Sequence, residues 1–286
     1  MIKSLFISDL HGSIKKYDCL FQKILEYQPH AVFIAGDLLG SSSYSSANSL
    51  PGVNDILYDY IVVQLQKIKL ELAENYPKIF VILGNDDSKL HEAAMLDIST
   101  TGLFTYLNQQ IVKFGNYKVA GYPYVPPTPF LNKDWEKYDV SRYVDVGCVP
   151  PENGFRSIPI SQRELGYYTI KKDLELLFSA EEMDNMICLF HAPPYQTNLD
   201  LADLEGKYID YVPLDVHIGS IAIKDFIIAR SPYLTLHGHA HESTRLTGIW
   251  KEKINNTVSL QGASDNESCF LIEFDLENPI SAVKID

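Results

Sequence analysis

Asp9-Leu-His11, Gly36-Asp37, Gly84-Asn85-Asp86-Asp87, His191 and His237-Gly-His239-Ala-His241 place carboxylate, amide and imidazole groups at five points along the chain. Each cluster follows a short apolar run: SLFIS, AVFIA, FVIL, MICLF or YLTL. Singly, none is diagnostic. A strand-end Asp often caps a helix, an Asn often makes a turn, and a lone His is commonly a satisfied polar residue. Recurrence at five strand ends is the signal, because open α/β sheets build sites beyond the carboxyl ends of their strands. Imidazole and carboxylate without thiolate suit Mn, Fe, Zn or a similar divalent ion. One aspartate can bridge two such cations, which then lie roughly 3.5–4 Å apart and turn a water into hydroxide at neutral pH. Two cations would also offset the adjacent carboxylates of VILGNDD.

The runs KSLFIS, AVFIAG, KIFVILG, YKVAGY, MICLFH and YLTLHG read as strands buried on both faces. Helical spacing of apolar residues lies between them, over Ile14–Tyr27, Asp55–Glu74, Lys171–Met183 and Ile218–Ala229. Alternating strand and helix predicts an α/β fold with crossover connections. RLTGIW, TVSLQG and CFLIEFDL follow one another with no helix and suggest antiparallel strands completing a second sheet. Residues 41–52, 122–166 and 192–213 read as loops rich in Ser, Pro, Tyr, Asn or acids. No boundary or repeat divides the chain, so residues 1–286 are expected to be a single domain.

The order and setting of these clusters resemble the calcineurin-like metallophosphoesterases, whose pattern runs D-x-H, G-D, G-N-H-D/E, H, G-H-x-H. The resemblance implies a four-layer α/β sandwich of two mixed β-sheets flanked by helices. It also implies a dinuclear centre of two divalent metal ions. Asp9, His11 and His241 would hold the first metal, Asn85, His191 and His239 the second, and Asp37 would bridge. The expected activity is phosphoester hydrolysis by a metal-bridging hydroxide, with Asp37, Asn85 and Asp86 at the reacting centre.

One position departs from the pattern. Asp86 stands where the family places a histidine near the leaving group. Cations nearby favour an ionised carboxylate, which is a poor acid and repels a phosphate dianion. Three readings follow: a phosphodiester substrate, a structural role for Asp86, or weak catalysis. The first is preferred, in line with phosphodiesterase-like branches of the family. A phosphomonoesterase or protein phosphatase and a metal-binding scaffold or sensor are the alternatives. Asp87, with no histidine to orient, reads as the cap of a helix over Ser88–Leu96. His237 reads as a buried strand-end residue bonded to backbone, and His30, His91 and His217 match no motif position.

Charge narrows the partners. The net charge is −13 with a pI near 5.0, and Lys and Arg form no dense cluster, so nucleic acid and anionic membrane are not expected. The expected partner is a small-molecule phosphoester. Arg142, Arg156, Arg163 and Arg245 are candidate phosphate donors; Tyr122, Tyr124, Tyr143, Tyr195 and Phe155 are candidates for an aromatic wall. No apolar run approaches the roughly 20 residues of a membrane span, and the start lacks a signal-peptide pattern. Cys19, Cys148, Cys188 and Cys269 have no CxxC spacing and read as free thiols, pointing to a cytoplasmic protein.

Overall fold

The computed structural model describes residues 1–40, 53–265 and 269–285; the predicted loop at 41–52 lies outside them. Among these residues, fourteen strands run in chain order. The first four are β1 (Lys3–Ile7), β2 (Ala31–Ala35), β3 (Lys78–Ile82) and β4 (Thr105–Tyr106). Next come β5 (Gln110–Phe114), β6 (Tyr117–Tyr122), β7 (Met186–Phe190), β8 (Tyr208–Ile209) and β9 (Val212–Pro213). The last are β10 (Leu234–His237), β11 (Lys251–Ile254), β12 (Thr257–Gln261), β13 (Leu271–Asp275) and β14 (Asn278–Ile285). The α-helices are α1 (Ile14–Tyr27), α2 (Val63–Leu72), α3 (Glu92–Thr100), α4 (Gln162–Tyr167), α5 (Ile170–Leu177), α6 (Ile221–Arg230) and α7 (Ser243–Thr247).

Two six-stranded sheets carry the architecture, ordered β14-β13-β1-β2-β3-β4 and β11-β12-β10-β7-β6-β5. Both mix parallel and antiparallel pairs, so the expected α/β sandwich of two mixed sheets is the observed one. Burial on both faces explains the unbroken apolar runs. On β1, Phe6 packs into the core shared by the sheets, with Phe33, Phe80, Ile187, Leu189 and Leu236. Its neighbours Leu5 and Ile7 face the other way, into the cluster formed with Tyr17, Leu20 and Ile24 of α1.

The tail departs from the expectation. RLTGIW is no strand: α7 ends at Gly248, whose φ of +70° suits a residue without a Cβ. β12 lies parallel beside β10 in the second sheet, while β13 pairs antiparallel with β1 in the first. Both central parallel strands thus gain a partner on an otherwise open edge. The helix expected from Asp55 begins as a π-helix over Ile56–Val62, capped by Asp55, before becoming α2. Segment 192–213 contains the β8–β9 hairpin. No helix among the described residues is long and apolar enough to cross a membrane.

Segment 122–166 has little regular structure but its own packed centre. Trp135, Lys133 and Glu136 are wholly buried. Lys133 Nζ donates to Glu136 Oε2 at 2.5 Å and to the Thr128 carbonyl at 2.8 Å. Glu136 also accepts from the Thr128 N–H and hydroxyl. Burial pushes the Glu136 carboxyl up to about 6, against the pull of Lys133. Removing one partner would leave an uncompensated buried charge. Lys133→Met is therefore expected to cost about 3–5 kcal/mol in urea unfolding, and Lys133→Met combined with Glu136→Gln to recover most of it.

Candidate metal centre

Strand register brings the clusters to one rim. Ile7 pairs with Ile34 and Ile34 with Val81 in one sheet, and His237 pairs with Phe190 in the other. Backbone hydrogen bonds then join the loops that leave neighbouring strands. Asp9 N donates to Gly36 O at 3.0 Å, His11 N to Asp37 O at 2.8 Å, and Gly238 N to His191 O at 2.9 Å. Asp9, His11, Asp37 and His239 all take left-handed backbone, with φ of 58°, 47°, 51° and 70°. Asp and His tolerate this region better than most residues, yet each instance costs about 1–3 kcal/mol and persists only where the surroundings enforce it. Gly84 and Gly238 admit the side chains. A Cβ on Gly84 would meet Asp37 and His191, and one on Gly238 would meet Ser8 and Asp9.

Ligand atoms of Asp9, His11, Asp37 and His241 lie within 4.8 Å of one another. The Nε2 atoms of His11 and His241 are 3.1 Å apart, and His241 Nε2 is 2.9 Å from Asp9 Oδ1. His191 Nε2 stands 3.0 Å from Asn85 Oδ1 and 3.3 Å from Asp37 Oδ2, the same oxygen that lies 3.9 Å from His11 Nε2. The His191 and His239 ring centroids are 5.4 Å apart. Asp37 thus reaches both groups.

Charge follows from burial. Burial alone would raise the pKa of Asp9, but His241, His191 and His11 outweigh it and hold the carboxyl well below the usual range. Burial opposes a charged His11, yet Asp86, Asp37 and Asp9 together push it up to about 9. His191 is also driven to about 9, against burial, chiefly by Asp37. Burial and His191 pull His239 down to about 3. Two buried carboxylates therefore demand positive charge from imidazoles crowded against them. Two ring nitrogens 3.1 Å apart cannot both offer lone pairs, or both protons, to each other without repulsion. A divalent cation accepting both lone pairs removes the conflict, so the donor set fits a metal.

The calcineurin-like phosphoesterase family model matches residues 2–243. The chain belongs to that family. Calcineurin-like phosphoesterases act on phosphoric esters and normally bind divalent metals, which agrees with the Asp and His cluster. No curated protein matches the sequence significantly. Among solved structures, TT1561 of Thermus thermophilus is similar over 99% of this chain and 98% of its own, at 12% identity and a TM-score of 0.57. A dimetal phosphatase from Danio rerio covers 95% of this chain and 91% of its own, at 9% identity and a TM-score of 0.48. At such identities the former shows a shared fold only.

The phosphoesterase motif residues Asp9, His11, Asp37, Asn85, His191, His239 and His241 all converge here. Among the described residues neither Asp9 nor Asp37 caps a helix; Ser13 and Asp55 stand at the starts of α1 and of the π-helix that leads into α2. Asp86 accepts from His11 Nδ1 at 3.0 Å, and its backbone N–H donates to Asp37 Oδ1 at 2.8 Å. Asp87 is not the predicted helix cap; Ser88 caps the following turn. Asp87 is instead fully buried and accepts from Leu38, Leu39 and Gly84 N–H at 2.7–3.0 Å, so it ties the Asp37 loop to the Asn85 loop. His237 is buried between the Ala192 carbonyl and Thr235, as expected.

The substrate candidates fare worse. A cavity of about 590 Å³ is lined by His11, Asp37, Asn85, Asp86, His239 and His241, but by none of the four arginines. Arg142 pairs with Glu152, Arg245 with Asp265 and Asp203, and Arg156 donates to backbone carbonyls. Tyr122 is buried against Asp173, and Tyr143 and Phe155 lie exposed elsewhere. Most of the remaining lining was missed, including Phe130, Asp145, Asp215 and His217; nothing in their local sequence distinguishes them from ordinary loop residues.

Asp87→Ala removes the acceptor of three buried N–H groups. At about 1–3 kcal/mol for each unmatched donor, a loss of at least ~3 kcal/mol is expected in urea unfolding of the metal-free protein. Asp87→Asn, which keeps one acceptor oxygen, is expected to lose less.

Proposed function

We propose that residues 1–286 form a single-domain, dinuclear metal-dependent phosphodiesterase. The observation that carries this is the Asp37 carboxylate, whose Oδ2 lies 3.9 Å from His11 Nε2 and 3.3 Å from His191 Nε2. Asp9, His11 and His241 would hold one cation, Asn85, His191 and His239 the other, and Asp37 both. When bound, such cations supply Lewis acidity and a water acidic enough to deprotonate at neutral pH. The chain's own groups then orient the site. The Ala35 carbonyl, 2.7 Å from His191 Nδ1, fixes that tautomer and frees Nε2. Asp86 does the same for His11.

Asp86 also motivates the diester preference. Its carboxylate lines the cavity beside His11, where a dianionic monoester would meet more repulsion than a monoanionic diester. With an acid held on His11 at the family's histidine position, a good leaving group or a water must serve in place of a protonated imidazole. The four cysteines are free thiols, which favours a reducing, cytoplasmic setting.

Elemental analysis is expected to find two divalent ions per chain, and Asp37→Asn to lower that number and abolish turnover. The Mn-loaded protein should cleave bis(p-nitrophenyl) phosphate faster than p-nitrophenyl phosphate. The reverse order sinks the diester preference; inertness toward every phosphoester supports a metal-binding scaffold. Asp86→Ala should weaken metal affinity by about 10–100-fold in chelator competition, through loss of the support to His11.

A further inference from the structure

The cavity over the metal centre is built from two segments with few regular elements. Phe130 and Val146 come from 122–166, Ile209 and Leu214 from the region of the β8–β9 hairpin. The segments meet closely: a Cβ on Gly147 would approach Ile209 to 2.8 Å. Beyond the metal cluster this wall is largely apolar, and apart from His217, whose Nδ1 is 2.8 Å from Asp200 Oδ1, its ionisable groups are mainly acids. Asp145, Asp215 and Glu242 line it, and no Lys or Arg does among the described residues. Residues 41–52 and 266–268 contain no Lys or Arg to add.

Glu242 lies within the field of Arg245, but Asp215 is held by hydrogen-bond donors rather than by a lysine or arginine among the described residues. Asp215 accepts from the Tyr195 hydroxyl at 2.5 Å and the His217 N–H at 2.9 Å. Among the described residues no Lys or Arg forms an ion pair with Asp145 or Asp215. Burial and the neighbouring Asp215 raise the Asp145 carboxyl, which places the two acids within electrostatic reach. A phosphodiester whose phosphoryl group lies at the metal centre must point its other parts along this wall. Further anionic groups would meet carboxylates where no Lys or Arg lines the wall, whereas an ammonium group would find Asp145, Asp215 and the Phe130 ring.

We propose that the cavity selects phosphodiesters whose second alcohol is apolar or carries a cationic amine, and rejects those carrying additional anionic groups. This deepens, and rests on, the phosphodiesterase reading. Asp145 and Asp215 set the preference through the field they create rather than through contact with the reacting atoms.

The test uses three p-nitrophenyl phosphodiesters with one leaving group and different second alcohols: choline, 1-propanol and glycolate. The Mn-loaded full chain is expected to show kcat/KM falling in that order, choline exceeding glycolate by at least about tenfold. Added salt should narrow the ratio. Asp145→Asn/Asp215→Asn should bring it toward one, and both side chains are exposed enough for the fold to tolerate the change. Equal or reversed rates overturn the inference while leaving the phosphodiesterase reading intact, as does a ratio that neither salt nor the double variant moves. Failure to cleave any of the three defeats the phosphodiesterase reading instead. The ordering is then read from calorimetric binding of the matching non-hydrolysable phosphonates, where equal affinities overturn it.

Discussion

A buried carboxylate is tolerated only where positive charge or hydrogen-bond donors meet it. Asp9 and Asp37 are both buried, between four imidazoles, with no Lys or Arg among the described residues paired to either carboxylate. That imbalance governs the rest of the molecule. Histidines are forced toward the charged state where they face these acids. The residue types at the rim are those that share a divalent ion, and the phosphoesterase family supplies the setting in which such ions do chemistry.

Holding those groups together needs rigid strands and strained turns. Level strand ends place five loops side by side. Left-handed backbone at four of the converging residues then turns their side chains inward. The cost of that strain is borne by the surrounding ladder and by Asp87, whose oxygens bind N–H groups of two loops. Adjacent Asp86 and Asp87 therefore do separate jobs. One supports a histidine in the cluster, the other holds the loops.

The Asp and His cluster stands at one end of the cavity, and side chains of the two loop segments line the rest. Apolar side chains and acids, with no lysine or arginine among the described lining residues, stand where a phosphate-clamping arginine was expected. Three of the four candidate arginines, Arg142, Arg245 and Arg156, are engaged with Glu152, with Asp265 or with backbone carbonyls, and Arg163 does not line the cavity. Under the proposed function, substrate choice would fall to the metal centre, Asp86 and the shape and sign of the wall.

The sequence by itself determined the sheet-and-helix framework and the seven converging residues, because apolar runs buried on both faces mark strands and polar clusters after them mark strand ends. It also isolated Asp86 as the departure. Only the tertiary structure decided which sheet took each tail strand, that Asp87 ties loops rather than capping a helix, and that Phe130 and His217 line the cavity while the arginines do not. The physical reason is range. Strand-end chemistry follows from a few neighbouring residues, but edge pairing, hydrogen bonds between distant loops and the lining of a cavity depend on partners far apart in the chain, whose meeting no local pattern records.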